Sequence, residues 1–319
     1  RGLDSVSDQR QAQWLAQSTK NRAENLMITD MVRNDLGRIA KPGSVNVPAL
    51  FDVEQYPTVW QMTSTVTAQS RHSLADIFCA LFPGASITGA PKKASMAFIN
   101  QLEGRPREIY TGAIGVIEPS GDARFSIAIR TAWSNKVDNT SHYGAGGGIV
   151  WDSNPLEEYA ELLTKTAVLN SVPAEFELLE TMRWTPQQGL FLAARHLQRL
   201  SASASYFGFV FDEVAVNQQL CAATEHLAPH PHRLRLRLAR SGEVTIVCTA
   251  LDQMGGCQSL ALAKTPVNSS DKFLYHKTTC RQVYDNATSE VAQGYEALLF
   301  NEFGFVTESA IANLAYRLH

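Results

Sequence analysis

Near residue 171 the pattern of the chain stops and starts again. Ser171-Val172-Pro173-Ala174 lies between two stretches that each carry their own alternation of helical and strand-like periodicity. A chain of 319 residues, 45% of them hydrophobic, is long enough to bury two cores. We therefore expect an α+β protein with domains at 1–170 and 176–319, joined by a linker at 171–175. No internal repeat or biased tract complicates that division.

Before the linker, residues 5–39 read as helix, with Ser18 and Thr19 placed to cap a second helical segment. Strand-like runs follow at 45–52 and 58–68, then helices at 73–82 and 92–103 around a Gly-Pro-rich turn. Alternating runs at 110–118, 124–134 and 141–151 read as antiparallel strands, and Asn154-Pro155 starts a helix to about residue 170. Beyond the linker the expected order is strand 176–183, strand 190–193, helices 194–207 and 212–227, and a hairpin from 233–240 and 243–251. A helix at 279–293 and strands at 296–301 and 304–307 complete it. Arg233, Arg235 and Arg237 alternate with leucines and are expected on the solvated face of an edge strand.

A net charge of −3 and the lack of a second basic cluster argue against nucleic acid as a partner. No apolar run approaches the roughly 20 residues of a membrane helix, so no membrane is expected either. The cysteines Cys79, Cys221, Cys248, Cys257 and Cys280 are odd in number and form no C-x-x-C pair. That fits a reducing compartment, and a cytoplasmic protein is expected. The chain opens on Arg1-Gly2 and closes on an apolar stretch without a stop signal, so both ends are expected to be cut.

Glu158, Glu161 and Lys165 stand at i, i+3 and i+7, on one helix face. Magnesium takes oxygen ligands, usually one or two carboxylates with waters and substrate oxygens, and Glu24 on another helix offers an opposing one. On spacing alone such a face is more often simply solvated. The glycine run Gly144-Ala145-Gly146-Gly147-Gly148 directly precedes this helix and exposes backbone N–H groups suited to a carboxylate, or else makes a bulge or tight turn. Arg130 offers a bidentate fork for another carboxylate, although an isolated strand arginine is more often a surface residue.

Together these stretches resemble the chorismate-binding family, closest to its aminodeoxychorismate-forming members. The resemblance rests on Arg22-Ala23-Glu24-Asn25 with Arg33-Asn34-Asp35-Leu36 and on Pro83-Gly84-Ala85-Ser86-Ile87-Thr88-Gly89-Ala90-Pro91-Lys92. It continues through Tyr110-Thr111-Gly112, Ile129-Arg130-Thr131, Gly146-Gly147-Gly148-Ile149-Val150 with Asp152-Ser153, and Glu158, Glu161 and Lys165. It implies the C-terminal part of a chorismate-binding α/β sandwich domain. It further implies that Glu24 and Glu161, with Glu158 near or through water, hold Mg²⁺ against the ring carboxylate and C4 hydroxyl of chorismate. Tyr110, Arg130, the amides of Gly146, Gly147 and Gly148, and Lys165 would hold substrate carboxylates, with Ser86 and Thr88 lining the pocket. Two departures stand out. Gln61 occupies the place of the family's pocket histidine, and the lysine nucleophile of the aminating members is expected ahead of Arg1.

In the second half, Lys277 lies in His276-Lys277-Thr278-Thr279-Cys280-Arg281. A lysine attacks a carbonyl only when burial or nearby cations keep part of it neutral, and most lysines are surface residues. Glu308 follows in Val306-Thr307-Glu308-Ser309, a carboxylate suited to a pyridinium nitrogen. Arg199, in His196-Leu197-Gln198-Arg199-Leu200, is a candidate phosphate anchor or a helix-surface arginine. With Leu179-Glu180-Thr181-Met182-Arg183, these segments resemble the fold type IV enzymes of pyridoxal 5'-phosphate (PLP), and their aminodeoxychorismate lyase group in particular. The resemblance implies the N-terminal part of such a domain, with Lys277 as the PLP lysine, Glu308 at the ring nitrogen and Arg199 at the phosphate. The role of Arg281 stays open.

The two resemblances imply successive reactions. Chorismate is aminated to 4-amino-4-deoxychorismate with Mg²⁺, and PLP-dependent loss of pyruvate then gives 4-aminobenzoate, a folate precursor. They also imply a glutamine amidotransferase subunit that supplies ammonia, and a homodimer through the second domain. The rival readings are an anthranilate synthase-like domain joined to a PLP transaminase, and a non-catalytic fragment.

Overall fold

The computed structural model describes residues 1–151, 153–170, 174–251, 259–312 and 314–315. Asp152, most of the expected linker (171–173), Cys257 and Asn313 lie outside the described residues. In chain order the helices and strands begin with α1 (Ser5–Gln17), α2 (Thr19–Gly37), β1 (Asn46–Gln55), β2 (Trp60–Thr67), α3 (Leu74–Leu81), α4 (Ala85–Thr88) and α5 (Lys92–Glu103). There follow β3 (Ala113–Ile117), β4 (Ala123–Ile127), β5 (Ala132–Asn135), β6 (Thr140–Tyr143) and α6 (Pro155–Thr166). The second half holds β7 (Leu178–Thr185), β8 (Gly189–Leu190), α7 (Ala193–Phe207), α8 (Glu213–Glu225), β9 (His232–Leu238) and β10 (Val244–Ala250). It ends with β11 (Ser259–Leu262), α9 (Gln282–Glu290), β12 (Tyr295–Phe300) and β13 (Val306–Ser309). The content is α+β, as expected.

Local chemistry explains the element ends. The Ser18 hydroxyl accepts from the Asn21 N–H and starts α2, while Ser73 and Asp76 form a reciprocal capping box on α3. Asn154 caps α6 through the N–H groups of Leu156 and Glu157, with Pro155 in the first turn, where its missing N–H costs nothing. Two expected strands are shorter than their periodicity. The run 124–134 divides into β4 and β5 because Arg130 sits at φ 52°, a left-handed conformation that no strand accommodates. The run 141–151 ends at Tyr143, where the glycines remove the side chains that would pack on a sheet.

Contacts divide the chain into two compact units. One comprises Trp14–Glu54 and Gln61–Pro173, the other Arg1–Gln13, Gln55–Trp60 and Ala174–His319. The first contains the antiparallel pairs β3–β4 and β5–β6. In the other, β10, β9, β7 and β8 form one antiparallel sheet in that order, and β11, β12 and β13 form a second. The opening residues pack within this unit because Arg1 and Asp8 form a buried pair at 2.6 Å, and the Arg1 guanidinium lies 4.5 Å from the Tyr206 ring centre.

Strand β9 shows how sequence period becomes packing. Leu234, Leu236 and Leu238 are fully buried, as are Leu178 and Met182 of β7, and Leu197 and Leu200 of α7 close over them. Each such side chain contributes about 1.5–3 kcal/mol. The arginines occupy the opposite face, as their alternation requires. However, β9 lies between β10 and β7, so the edge-strand expectation is corrected: these arginines stand on a central strand. Among the described residues no single helix is long and apolar enough to cross a membrane, and Cys79, Cys221, Cys248 and Cys280 are free thiols.

Candidate active sites

In the first unit a cavity of about 300 Å³ opens beside the glycine run. It gathers the expected carboxylate-binding residues, Tyr110, Arg130, Gly146, Gly147, Gly148 and Lys165, together with Ser86, expected to line the pocket. The backbone explains the meeting of Tyr110 with Arg130. The Thr111 N–H donates to the Ala128 carbonyl and the Ala128 N–H to that of Gly112, tying the loop to the end of β4. Arg130 is exposed, and among the described residues no acidic side chain pairs with it. Lys165 donates to the Gly146 carbonyl at 3.0 Å and pairs with Glu161 at 2.6 Å.

The glycines are required by their neighbours. A Cβ on Gly144 would stand 2.3 Å from the Tyr110 ring, and one on Gly146 2.9 Å from the Tyr110 hydroxyl. A Cβ on Gly147 would meet a Glu158 carboxylate oxygen at 3.0 Å. The run is therefore a close-approach surface for Tyr110 and α6, and its N–H groups remain unshielded by side chains.

Not every expectation holds. Thr88 belongs to a neighbouring cavity of about 200 Å³, where its hydroxyl donates to the Gly84 carbonyl. The expected magnesium ligands are not gathered: among the described residues no three His, Cys, Asp or Glu side chains stand close enough to share a metal ion. Glu161 is spent on Lys165, and Glu158 accepts from the Ser153 hydroxyl at 2.7 Å. As they stand, the residues do not fit a Mg²⁺ cage. Sequence reasoning missed Glu103 and Arg107, which line both cavities and form a two-bond fork at 2.7 and 2.9 Å. The fork holds the Glu103 carboxyl below its ordinary range. Their i, i+4 spacing just ahead of Tyr110 was the available signal.

The second unit places Lys277 beside β7, where its carbonyl accepts from the Leu179 N–H at 2.9 Å and Leu178 bridges Thr278. The side chain is half-buried. Burial pushes its amine below the ordinary lysine range; Glu180 pulls it back up, while Arg199, Arg281 and Arg235 push it further down. Arg199 is not free on the helix surface. It forks onto Glu180 through Nε and Nη2, both at 2.6 Å, and the same carboxylate stands 2.7 Å from His196 Nδ1. Glu308 accepts from the Tyr284 hydroxyl at 2.8 Å, and burial, with that bond, drives the phenol well above its ordinary range. Arg281 lies over the Tyr284 ring and donates to the Ala310 carbonyl.

An amine, a carboxylate and a guanidinium with spare donors are the groups a pyridinium phosphate needs, so the residues of this unit fit PLP. Glu180, His196 and Tyr284 had not been assigned roles from sequence. Glu180 was detectable as an acidic residue at the same strand parity as Leu178 and Met182.

Comparison with known proteins follows the same division. Residues 1–171 match the family described as chorismate binding enzyme, and residues 177–318 match amino-transferase class IV. The chain belongs to the chorismate binding enzyme family and joins that domain to a class IV aminotransferase domain. It is 49% identical over 164 residues to aminodeoxychorismate synthase component 1 of Salmonella typhimurium, covering 51% of this chain and 36% of that protein. It is 42% identical over 173 residues to anthranilate synthase component 1 of Saccharolobus solfataricus, covering 54% and 41%. A solved putative amino-acid aminotransferase from Mesorhizobium loti is 38% identical, covers 43% of this chain and 68% of that one, and has a TM-score of 0.41. The chain thus spans little more than a third of the curated synthase that it matches.

Proposed function

We propose that this chain belongs to a bifunctional enzyme of 4-aminobenzoate synthesis. Its first domain would act in the amination of chorismate to 4-amino-4-deoxychorismate, and its second in removing pyruvate from that product. The observation that carries the reading is the presence, in one chain, of two differently equipped sites. One is a cavity with Arg130, Lys165 and unshielded glycine amides, suited to a substrate with two carboxylates. The other holds an amine pushed toward neutrality beside a guanidinium–carboxylate fork.

In the first site Arg130 offers a charge-assisted fork to one carboxylate. The amides of Gly146 to Gly148 take another, and Tyr110 forms the wall that fixes the ring. A Mg²⁺ ion held by Glu24, Glu158 and Glu161 would require Lys165 to release Glu161. Ammonia would come from a glutamine amidotransferase, a reading supported by relatives named as component 1.

In the second site PLP, when bound, supplies an electron sink for breaking the C4–H bond of 4-amino-4-deoxychorismate. Arg199 would hold its phosphate and Glu308 its ring nitrogen. Lys277, whose amine burial pushes below the ordinary lysine range, takes the C4 proton. The bond between ring C3 and the enolpyruvyl oxygen then breaks with its electron pair on oxygen, and the departing enolate becomes pyruvate on gaining a proton, leaving the aromatic ring of 4-aminobenzoate. Borohydride reduction of the PLP-loaded enzyme, followed by peptide mapping, tests the assignment. A label on Lys277 is expected; a label on another lysine overturns it.

The match to an anthranilate synthase component favours one rival, an anthranilate-forming domain joined to a transaminase. The two readings part at the ring position of the new amino group.

A further inference from the structure

We propose that Glu180 is a positioning residue that clamps Arg199 for phosphate binding, an inference that rests on the PLP reading above. Glu180 is 1% exposed and lies on β7 among the side chains of the core. A carboxylate there is costly unless every oxygen is engaged, and both are. Oε1 accepts from Arg199 Nε, and Oε2 accepts from Arg199 Nη2 and stands against His196 Nδ1. The fork consumes one edge of the guanidinium. Of five N–H donors the fork uses two, Nη2 also stands 3.3 Å from His196 Nδ1, and both on Nη1 remain; the Arg199 side chain is 47% exposed where that of Glu180 is 1%. The clamped edge faces the buried Glu180, and the side chain as a whole keeps enough exposure to meet a ligand. An unclamped, half-exposed arginine would lose rotamer freedom on binding an anion; a clamped one has already lost it. The same carboxylate balances the cations around Lys277, for Arg199, Arg281 and Arg235 all act on that amine and Glu180 opposes them.

The test compares PLP with pyridoxal, which lacks the phosphate, by equilibrium dialysis against the wild-type chain, Glu180→Gln and Glu180→Asp. The wild type is expected to prefer PLP. Glu180→Gln should lose about 10-fold or more of that preference, the scale of one charge-assisted hydrogen bond; because both ligands condense with the same Lys277 amine, the ratio of the two affinities isolates the phosphate. Glu180→Asp, which keeps the charge on a shorter arm, should fall between and carries the comparison if Glu180→Gln does not fold. In the cofactor-free chain, NMR titration of reductively ¹³C-methylated Lys277 should move to lower pH in Glu180→Gln. An unchanged preference, or equal losses for both ligands, would overturn the role of Glu180. A wild-type chain with no preference for PLP would instead overturn the phosphate site on which the role depends.

Discussion

Replacing Gly144 with alanine puts the architecture of the first site to a direct test. The added Cβ would stand 2.3 Å from two ring carbons of Tyr110 and 2.9 Å from its Cβ. Carbon atoms in contact rest at about 3.5–4.0 Å, so the ring must retreat by roughly 1 Å or the glycine run must move. Since the ring's own Cβ is also too close, a rotation about the side chain does not relieve the overlap. Overpacking of this kind costs about 1–3 kcal/mol. The larger effect falls on the site, because Tyr110 lies against Gly146 as well and forms the cavity wall next to Arg130. A displacement of about 1 Å in a positioning group can cost on the order of 100-fold in turnover. The assay is the KM for chorismate and the synthase turnover of the complete enzyme, together with its melting temperature. Gly37→Ala, at the end of α2 and outside the cavity lining, is the control, since nothing lies within 4 Å of the Cβ it would add. Gly144→Ala with wild-type KM and melting temperature would show that Tyr110 does not pack on the glycine run.

Other expectations follow from the same geometry. Leu236→Ala, in the fully buried row of β9, should cost about 2–5 kcal/mol in denaturant unfolding, whereas Arg233→Ala on the opposite face should fall within about 0.5 kcal/mol. Glu161→Gln should free Lys165 from its pair; a role for Glu161 in holding Mg²⁺ for the proposed amination requires that the variant need more magnesium with pyruvate release untouched, and an unchanged magnesium titration would remove Glu161 as a ligand. Folding lowers the Lys277 pKa from its ordinary 10.5, so the unfolded chain binds more protons in the window below that value. Stability should therefore rise with pH there. Lys277→Met should flatten the rise in melting temperature, and an identical pH slope in the variant would refute the burial argument.

The legible part of the fold was what short-range pattern carries. The Arg-Leu alternation of β9 gave its two faces, and Ser18 and Asn154 gave helix starts. Strand order was not legible, because period two is the same at an edge and in the middle of a sheet; β9 proved central. The break between β4 and β5 was hidden because arginine is no turn former, yet Arg130 adopts φ 52°. Most of the first cavity was visible as residue types along the chain. Its glycines were visible too, although their reason, the Tyr110 ring, is a contact across more than 30 positions. The Glu180–His196–Arg199 cluster was missed for a similar cause: it joins a strand to a helix, and only packing brings the three together.

The most direct measurement follows the nitrogen. The complete enzyme, loaded with PLP and given chorismate and ¹⁵N-ammonia, should release 4-aminobenzoate carrying ¹⁵N on the ring and one equivalent of pyruvate for each molecule formed. Lys277→Ala should stop at 4-amino-4-deoxychorismate with no pyruvate released. If the labelled product were anthranilate, with nitrogen ortho to the carboxylate, the proposed pairing of the two domains would be contradicted.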